Sequence, residues 1–289
     1  MADVNLSEAE KTYILHSVQD DLREDGRGCE DFRHTELETG LISNTNGSAR
    51  VRLATTDVLV GVKVQLTSVD PKNPETGRME FFLDCSANAT PEFEGRGGEK
   101  LASEITAMLT RAYGSPGTMD YQSLCVLPEQ QCWLLYVDIL LLECGGNLYD
   151  AVSLAVKAAL FNTKIPNVTM TKDEGGIELD VSDDPYDYKR LDVSGAPVVV
   201  TVNKIGHYHV VDASEKEEAC SLAKVILAVT RNGTITAMKK EGSGSLDADS
   251  ISDMMESAKK LGVLLNKSLL QSLKAEESEG AEPVGFLRN

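Results

Sequence analysis

From Trp133 to Leu142 the chain is an almost unbroken apolar run, followed by Gly145-Gly146 and then by a segment rich in strong helix formers from Ala151 to Leu160. A run of that length is too short for a membrane span and predicts a buried strand, the glycine pair a turn, and the next segment a helix. Asn147 stands at the N-cap position, and Asp150 follows three residues later, where a capping box has its acid.

Other periodicities complete the pattern. Ser7 and Glu10 form a capping-box pair ahead of Tyr13, Ile14, Val18 and Leu22, which predicts a helix over 7–22 with one apolar face. Residues 48–66 alternate apolar and polar around 54–57 and predict a β-hairpin, with Arg50 and Arg52 on its solvated face. A loop over 67–78 leads to a strand at 79–84. The stretch 91–98, with Gly95, Gly97 and Gly98, predicts irregular backbone delivering the chain to a helix over 99–113. Leu101, Ile105, Met108 and Leu109 form the stripe of that helix, and Arg111 falls outside it.

Residues 162–191 are polar and predict a solvated connector. Beyond it, strands are expected at 197–205 and 208–212, then a hairpin joining 222–230 to 234–239 through Arg231, Asn232 and Gly233. The last helix is predicted over 246–273, and the acidic tail, 275–289, as disorder. Two blocks of strands, each leading into an amphipathic helix, make an α+β chain of mixed sheets with packed helices in two sub-domains. The divisions are an N-terminal helix and arm at 1–27, a first domain at 28–165, an acidic connector at 166–193, a second domain at 194–274, and the tail.

Charge narrows the function. With 28 basic against 46 acidic residues the formal charge is −18, which excludes indiscriminate nucleic-acid binding and confines any RNA contact to a local basic stripe. No apolar leader opens the sequence and no window has the length of a membrane span, so a soluble intracellular protein is expected. The six cysteines form no C-x-x-C pair and read as reduced, buried thiols.

The strand, Gly-Gly and helix junction is physically an anion site, since free N–H groups and the positive end of the helix dipole converge there. The first helical turn offers Leu148, Tyr149 and Asp150 but no cation or hydroxyl cluster. Either the Asp150 carboxylate already occupies the cradle, or the glycines are only a turn and Asp150 only a cap. Two metal motifs are weak. Asp180, Asp183, Asp184 and Asp187 lack EF-hand spacing, and His207 with His209 lacks a third ligand, so neither a metal nor a cofactor is expected.

On these motifs the chain resembles the RNase PH family over nearly its whole length. The carrying residues are Asp25-Gly26-Arg27, Gly47 to Ala49 with Thr56 and Asp57, Asp84 to Ala87 running into PEFEGRGG at 91–98, Val137 to Leu140 leading to Gly145-Gly146, and SDDPYD at 182–187. The 91–98 and 182–187 runs are similar to those of non-catalytic RNase PH-like ring subunits of the eukaryotic RNA exosome; the rest are family-wide. The resemblance implies the RNase PH-like (ribosomal protein S5 domain 2-like) fold. Active members use inorganic phosphate to cleave the 3′-terminal phosphodiester, which needs cations and donors around the phosphate and a carboxylate near the leaving group.

In this chain the implied phosphate arginine falls on Ala107. The donor pattern after the glycines is replaced by Asn147, Leu148, Tyr149 and Asp150, and the acid falls on Leu222 or Lys224. Losing one such donor costs ~100- to 1000-fold in rate, so their joint loss implies an inert site, with Asp150 repelling phosphate. The implied function is structural: a ring subunit supporting 3′–5′ RNA processing and degradation, including rRNA maturation. Its implied partners are other RNase PH-like subunits in a six-membered ring, RNA-binding cap subunits, associated exoribonucleases, and single-stranded RNA in the channel. Arg111, and less so Arg96, are the candidate channel contacts. The implied location is nucleus, nucleolus and cytoplasm. The competing expectation is an active phosphate-dependent 3′–5′ exoribonuclease.

Overall fold

The computed structural model describes residues 6–173 and 176–279. Helix α1 (Glu8–Gln19) opens on the expected capping box, with the Ser7 backbone N–H donating to Glu10 Oε2 at 2.8 Å. Strands β1 (Thr35–Thr39), β2 (Gly47–Leu53), β3 (Thr56–Ser68) and β4 (Arg78–Cys85) follow, then α2 (Glu99–Tyr113), β5 (Cys125–Leu127), β6 (Gln131–Glu143) and α3 (Leu148–Asn162). The connector carries β7 (Lys164–Pro166), β8 (Val168–Asp173), β9 (Gly176–Val181) and β10 (Tyr188–Arg190). The second block holds β11 (Val198–Ile205), β12 (Tyr208–Val211), α4 (Glu215–Cys220), β13 (Ala223–Val229), β14 (Ile235–Glu241) and α5 (Ala248–Glu279).

The large sheet has the order β1-β2-β3-β6-β4, with β5 on the start of β6; β4 runs parallel to β6 and the remaining pairs are antiparallel. The second sheet is antiparallel in the order β12-β11-β13-β14. Helix α3 lies between the sheets, packed on β2 and β3 from one side and β11 from the other. This is why it is apolar around most of its circumference, with every residue from Leu148 to Leu160 buried. Along β11 the alternation serves both layers. Val199 and Thr201 meet α3 through Ser153 and Asp150, while Val200 and Val202 pack with Met254, Ala258 and Leu261 of α5. One continuous core therefore draws on both sequence blocks, joining Val60 and Leu141 to Val199, Ile226 and Leu273.

Several expectations need correction. Residues 91–93 form a 3-10 turn, so the glycine-rich stretch is not wholly irregular. The connector is not bare solvated loop: β8 and β9 form a hairpin, and β7 pairs with β10. Arg50 and Arg52 do not simply face water, because both donate to the buried Asp57 carboxylate, Arg50 from 2.5 Å and Arg52 from 3.2 Å. Residues 275–279, expected as disordered tail, continue α5, where Glu276 accepts from the Thr39 N–H of edge strand β1 at 2.8 Å. Residues 280–289 lie outside the described residues.

Candidate functional site

The junction that closes β6 onto α3 is built by contacts distant in sequence. Gly146 has φ +90°, and a Cβ there would lie 2.7 Å from the Glu215 backbone nitrogen, so α4 can approach only a glycine. Thr56 donates its hydroxyl to Gly146 O at 2.6 Å, and Arg33 reaches Gly145 O at 3.0 Å and Gly146 O at 3.2 Å. The turn's carbonyls are thereby satisfied and its position fixed.

Asn147 does not cap the helix with its side chain. Its φ is +55°, and its Nδ2 donates instead to Asp212 Oδ1 at 2.7 Å and Asp150 Oδ2 at 3.0 Å. Its backbone N–H, one of the donors that would form the anion cradle, donates to Glu218 Oε1 at 3.1 Å. A resident carboxylate does fill the cradle, but it comes from α4 and not from Asp150. Helix α4 itself was missed in the sequence, although Ser214 and Glu217 have capping-box spacing and the Ser214 N–H does donate to Glu217 at 2.8 Å.

Asp150 is fully buried and accepts from the Thr201 hydroxyl at 2.8 Å. It faces the second sheet, so the expected repulsion of phosphate by this side chain is wrong. Burial pushes its pKa up to about 7, against the hydrogen bonds from Thr201 and Asn147. A carboxyl whose folded pKa is raised binds more protons folded than unfolded between about pH 4 and 7, so its contribution to stability declines as pH rises through that window. Asp150→Asn can keep both contacts, with its oxygen toward Asn147 and its amide toward the Thr201 hydroxyl. In denaturant titrations the wild type should lose stability relative to Asp150→Asn between pH 4 and 8; a constant difference contradicts this.

The side chains beside the cradle neutralise one another. The Lys224 ammonium lies 3.3 Å from Glu241 and 3.9 Å from Glu218. Lys239 is 2.5 Å from Glu241, 3.0 Å from Glu104 and 3.0 Å from the Tyr149 hydroxyl, which donates to Glu241 at 2.5 Å. Burial together with Glu241 drives the Tyr149 phenol far above its ordinary range, and burial raises the Glu218 carboxyl. Three carboxylates thus hold two ammonium groups, and neither lysine is free to take an anion. The cleft over Gly145, about 340 Å³, is no better suited, since Glu24, Asp25, Glu215 and Glu217 line it and its Lys216 is paired with Glu24.

The remaining sequence candidates separate. Ala107 is exposed on α2 one turn beyond Glu104 and offers only a methyl group. Leu222 is 66% exposed just before β13, while Lys224 sits inside the carboxylate cluster. Arg96 precedes α2 and Arg111 closes it, so helix rise sets their backbones about 20 Å apart and they form no joint site. Both are exposed, Arg96 with Glu99 at 3.6 Å. Among the described residues no group of histidine, cysteine or carboxylate side chains could hold a metal ion. Asp212, Arg33, Glu218 and Glu241, which organise the site, went unnoticed because each acts on a partner far along the chain.

Comparison with known proteins sets this geometry in context. Residues 31–166 match the 3′ exoribonuclease family, domain 1, and residues 195–260 match domain 2 of the same family. The chain is 32% identical to RRP42 of Dictyostelium discoideum, named as an exosome complex exonuclease, over 93% of this chain and 98% of that protein. It is also 32% identical to the exosome complex component Rrp42 of Methanocella arvoryzae, again over 93% and 98%. Among solved structures it is similar to a chain of the Archaeoglobus fulgidus exosome with RNA bound to the active site. That match has TM-score 0.76 and 27% identity, covering 90% of this chain and 98% of the other.

Proposed function

Because the chain belongs to the 3′ exoribonuclease (RNase PH) family and carries both of its domains, we propose that it is a non-catalytic subunit of an exosome ring. In that role it supports 3′–5′ RNA processing and degradation by building the channel through which RNA reaches a nuclease carried by another chain. The observation that carries the reading is the occupied cradle: the Asn147 N–H is taken by Glu218, and Lys224 and Lys239 are taken by Glu104, Glu218 and Glu241. Phosphorolysis requires a dianion where these carboxylates sit, and the like charge opposes it.

The partners in this reading are other RNase PH-like subunits, RNA-binding cap subunits and docked exoribonucleases. Named relatives that are exosome components, matched nearly end to end, support it. Exposed Arg111 is assigned a phosphate contact in the channel, with Arg96 a weaker one. The proposal extends to location: nucleus, nucleolus and cytoplasm, where the RNA handled by such a ring is made and turned over.

The second reading, an active phosphorolytic exoribonuclease, draws on the name of the Dictyostelium relative. It requires a free cation at the cradle, and both nearby lysines are paired. Purification of the endogenous protein at high salt tests the assembly role. Recovery in a stable complex with RNase PH-like subunits is expected, and recovery as a lone monomer contradicts it.

A further inference from the structure

Helices α2 and α3 pack on the large sheet through the face that carries Phe81, Val137 and Ile139, and no other α-helix among the described residues packs extensively on β4 or β6. The register places Phe82 opposite Asp138, Glu80 opposite Tyr136 and Asp84 opposite Leu140, so these six side chains share the opposite, outer face. Phe82 is 50% exposed, and its ring lies 6.1 Å from that of Tyr136. The neighbouring inward residues, Phe81, Val137 and Ile139, are buried, so the exposure belongs to this face and not to a loose strand.

The rim is acidic. Glu80, Asp84 and Asp138 form no ion pair with another described residue, whereas the buried carboxylates Asp57, Asp212 and Glu217 each have an arginine. Two cations among the described residues adjoin the patch on this face: Lys63, opposite Tyr136 on β3, and Arg78, two residues before Glu80 on β4. An aromatic and aliphatic centre ringed by unpaired carboxylates has the anatomy of a protein interface and repels nucleic acid.

We infer that this outer face is the seat of a neighbouring protein subunit that presents apolar side chains ringed by lysine or arginine. The inference rests on the ring-subunit reading and names a surface through which the chain would join its neighbours. Complementary charge at the rim governs encounter and salt dependence, while the Phe82 and Tyr136 rings, covered by the partner, govern residence.

The test is co-expression of the full-length chain with its RNase PH-like ring partners, followed by native mass spectrometry across a salt series. Wild type, Phe82→Glu, Tyr136→Glu and the double variant Asp84→Asn/Asp138→Asn are compared, with circular dichroism and melting temperature of each isolated chain as the folding control. The expected result is assembly of the wild type and a loss of more than ~10-fold in assembly for either glutamate variant at unchanged melting temperature. The double variant is expected to assemble with a flatter salt dependence. Glutamate variants that assemble like the wild type overturn this surface and leave the ring reading intact. A wild-type chain that fails to assemble overturns both. If the glutamate variants melt early, the double variant decides, and an unchanged salt response counts against the inference.

Discussion

Replacing Asp212 with alanine should destabilise the fold by about 3–5 kcal/mol, the range expected when one member of a buried charge network is removed and its partners stay behind. Asp212 is fully buried and takes donors from three directions. Arg33 gives its backbone N–H at 2.7 Å, Nε at 3.0 Å and Nη2 at 2.8 Å; Arg27 adds a bond at 3.1 Å; and Asn147 adds one at 2.7 Å. Burial acts to raise its pKa, but the Arg33 bonds and charge outweigh it and hold the carboxylate below its ordinary range.

These contacts join the arm after α1, the Gly145-Gly146 turn and the end of β12, so the loss should be structural in several places at once. Arg33 would keep a largely buried guanidinium without a counter-charge, and Arg27 would be left with Asp25 alone. The measurement is urea unfolding of Asp212→Ala, together with limited proteolysis of residues 23–34, which should become sensitive. A loss below about 1 kcal/mol would show the network to be dispensable.

The second large effect is expected at Lys157, in the middle of α3 and fully buried. Its ammonium donates to Ala196 O and Asn266 Oδ1, both at 2.5 Å, and the structure gives it no carboxylate partner among the described residues. Burial pulls its pKa down to about 8. Lys157→Ala removes a packed stem and leaves two buried acceptors unsatisfied, which predicts a loss of about 3–5 kcal/mol. Lys157→Met keeps most of the volume and abolishes the cost of burying the charge, so it should be milder.

The sign of the pH effect is fixed. Between about pH 8 and 10.5 the unfolded lysine holds a proton that the folded one has released, so this group makes the wild type more stable as pH rises. Relative to Lys157→Met, the wild type should gain stability across that window in calorimetry. A gap independent of pH would place the charge in a better-solvated setting than the structure shows.

Much of this architecture was legible in the pattern of apolar residues. The stripe from Leu101 to Leu109, preceded by three glycines in four positions, gave α2 its observed limits, and the apolar run into Gly145-Gly146 gave β6, the turn and α3. The connector misled because its clustered acids and Pro185 suggested solvated loop, although Val168 and Met170, then Ile177, Leu179 and Val181, alternate with polar residues; its strands pair only two at a time. Edge strand β1 escaped because it is largely exposed and carries a single apolar residue, Leu37.

At the site, the sequence located the junction but misassigned the carboxylate and missed the cations that the fold brings beside it, Arg33, Lys224 and Lys239. Asp150 is next to the cradle in the chain and turns away from it. Glu218, some seventy residues on, is carried there by α4. Local spacing names caps and turns; it cannot say which distant acid the fold delivers to a free N–H.

The central claim is that the pocket left between α3, α4 and β13 cannot hold phosphate for attack on RNA. It is tested most directly by incubating the purified chain with single-stranded RNA and inorganic phosphate, alone and joined to RNase PH-like partners whose own sites are disabled, and measuring nucleoside diphosphate release. No release above the blank is predicted under either condition. Sustained release that disappears on Lys224→Met would contradict the account.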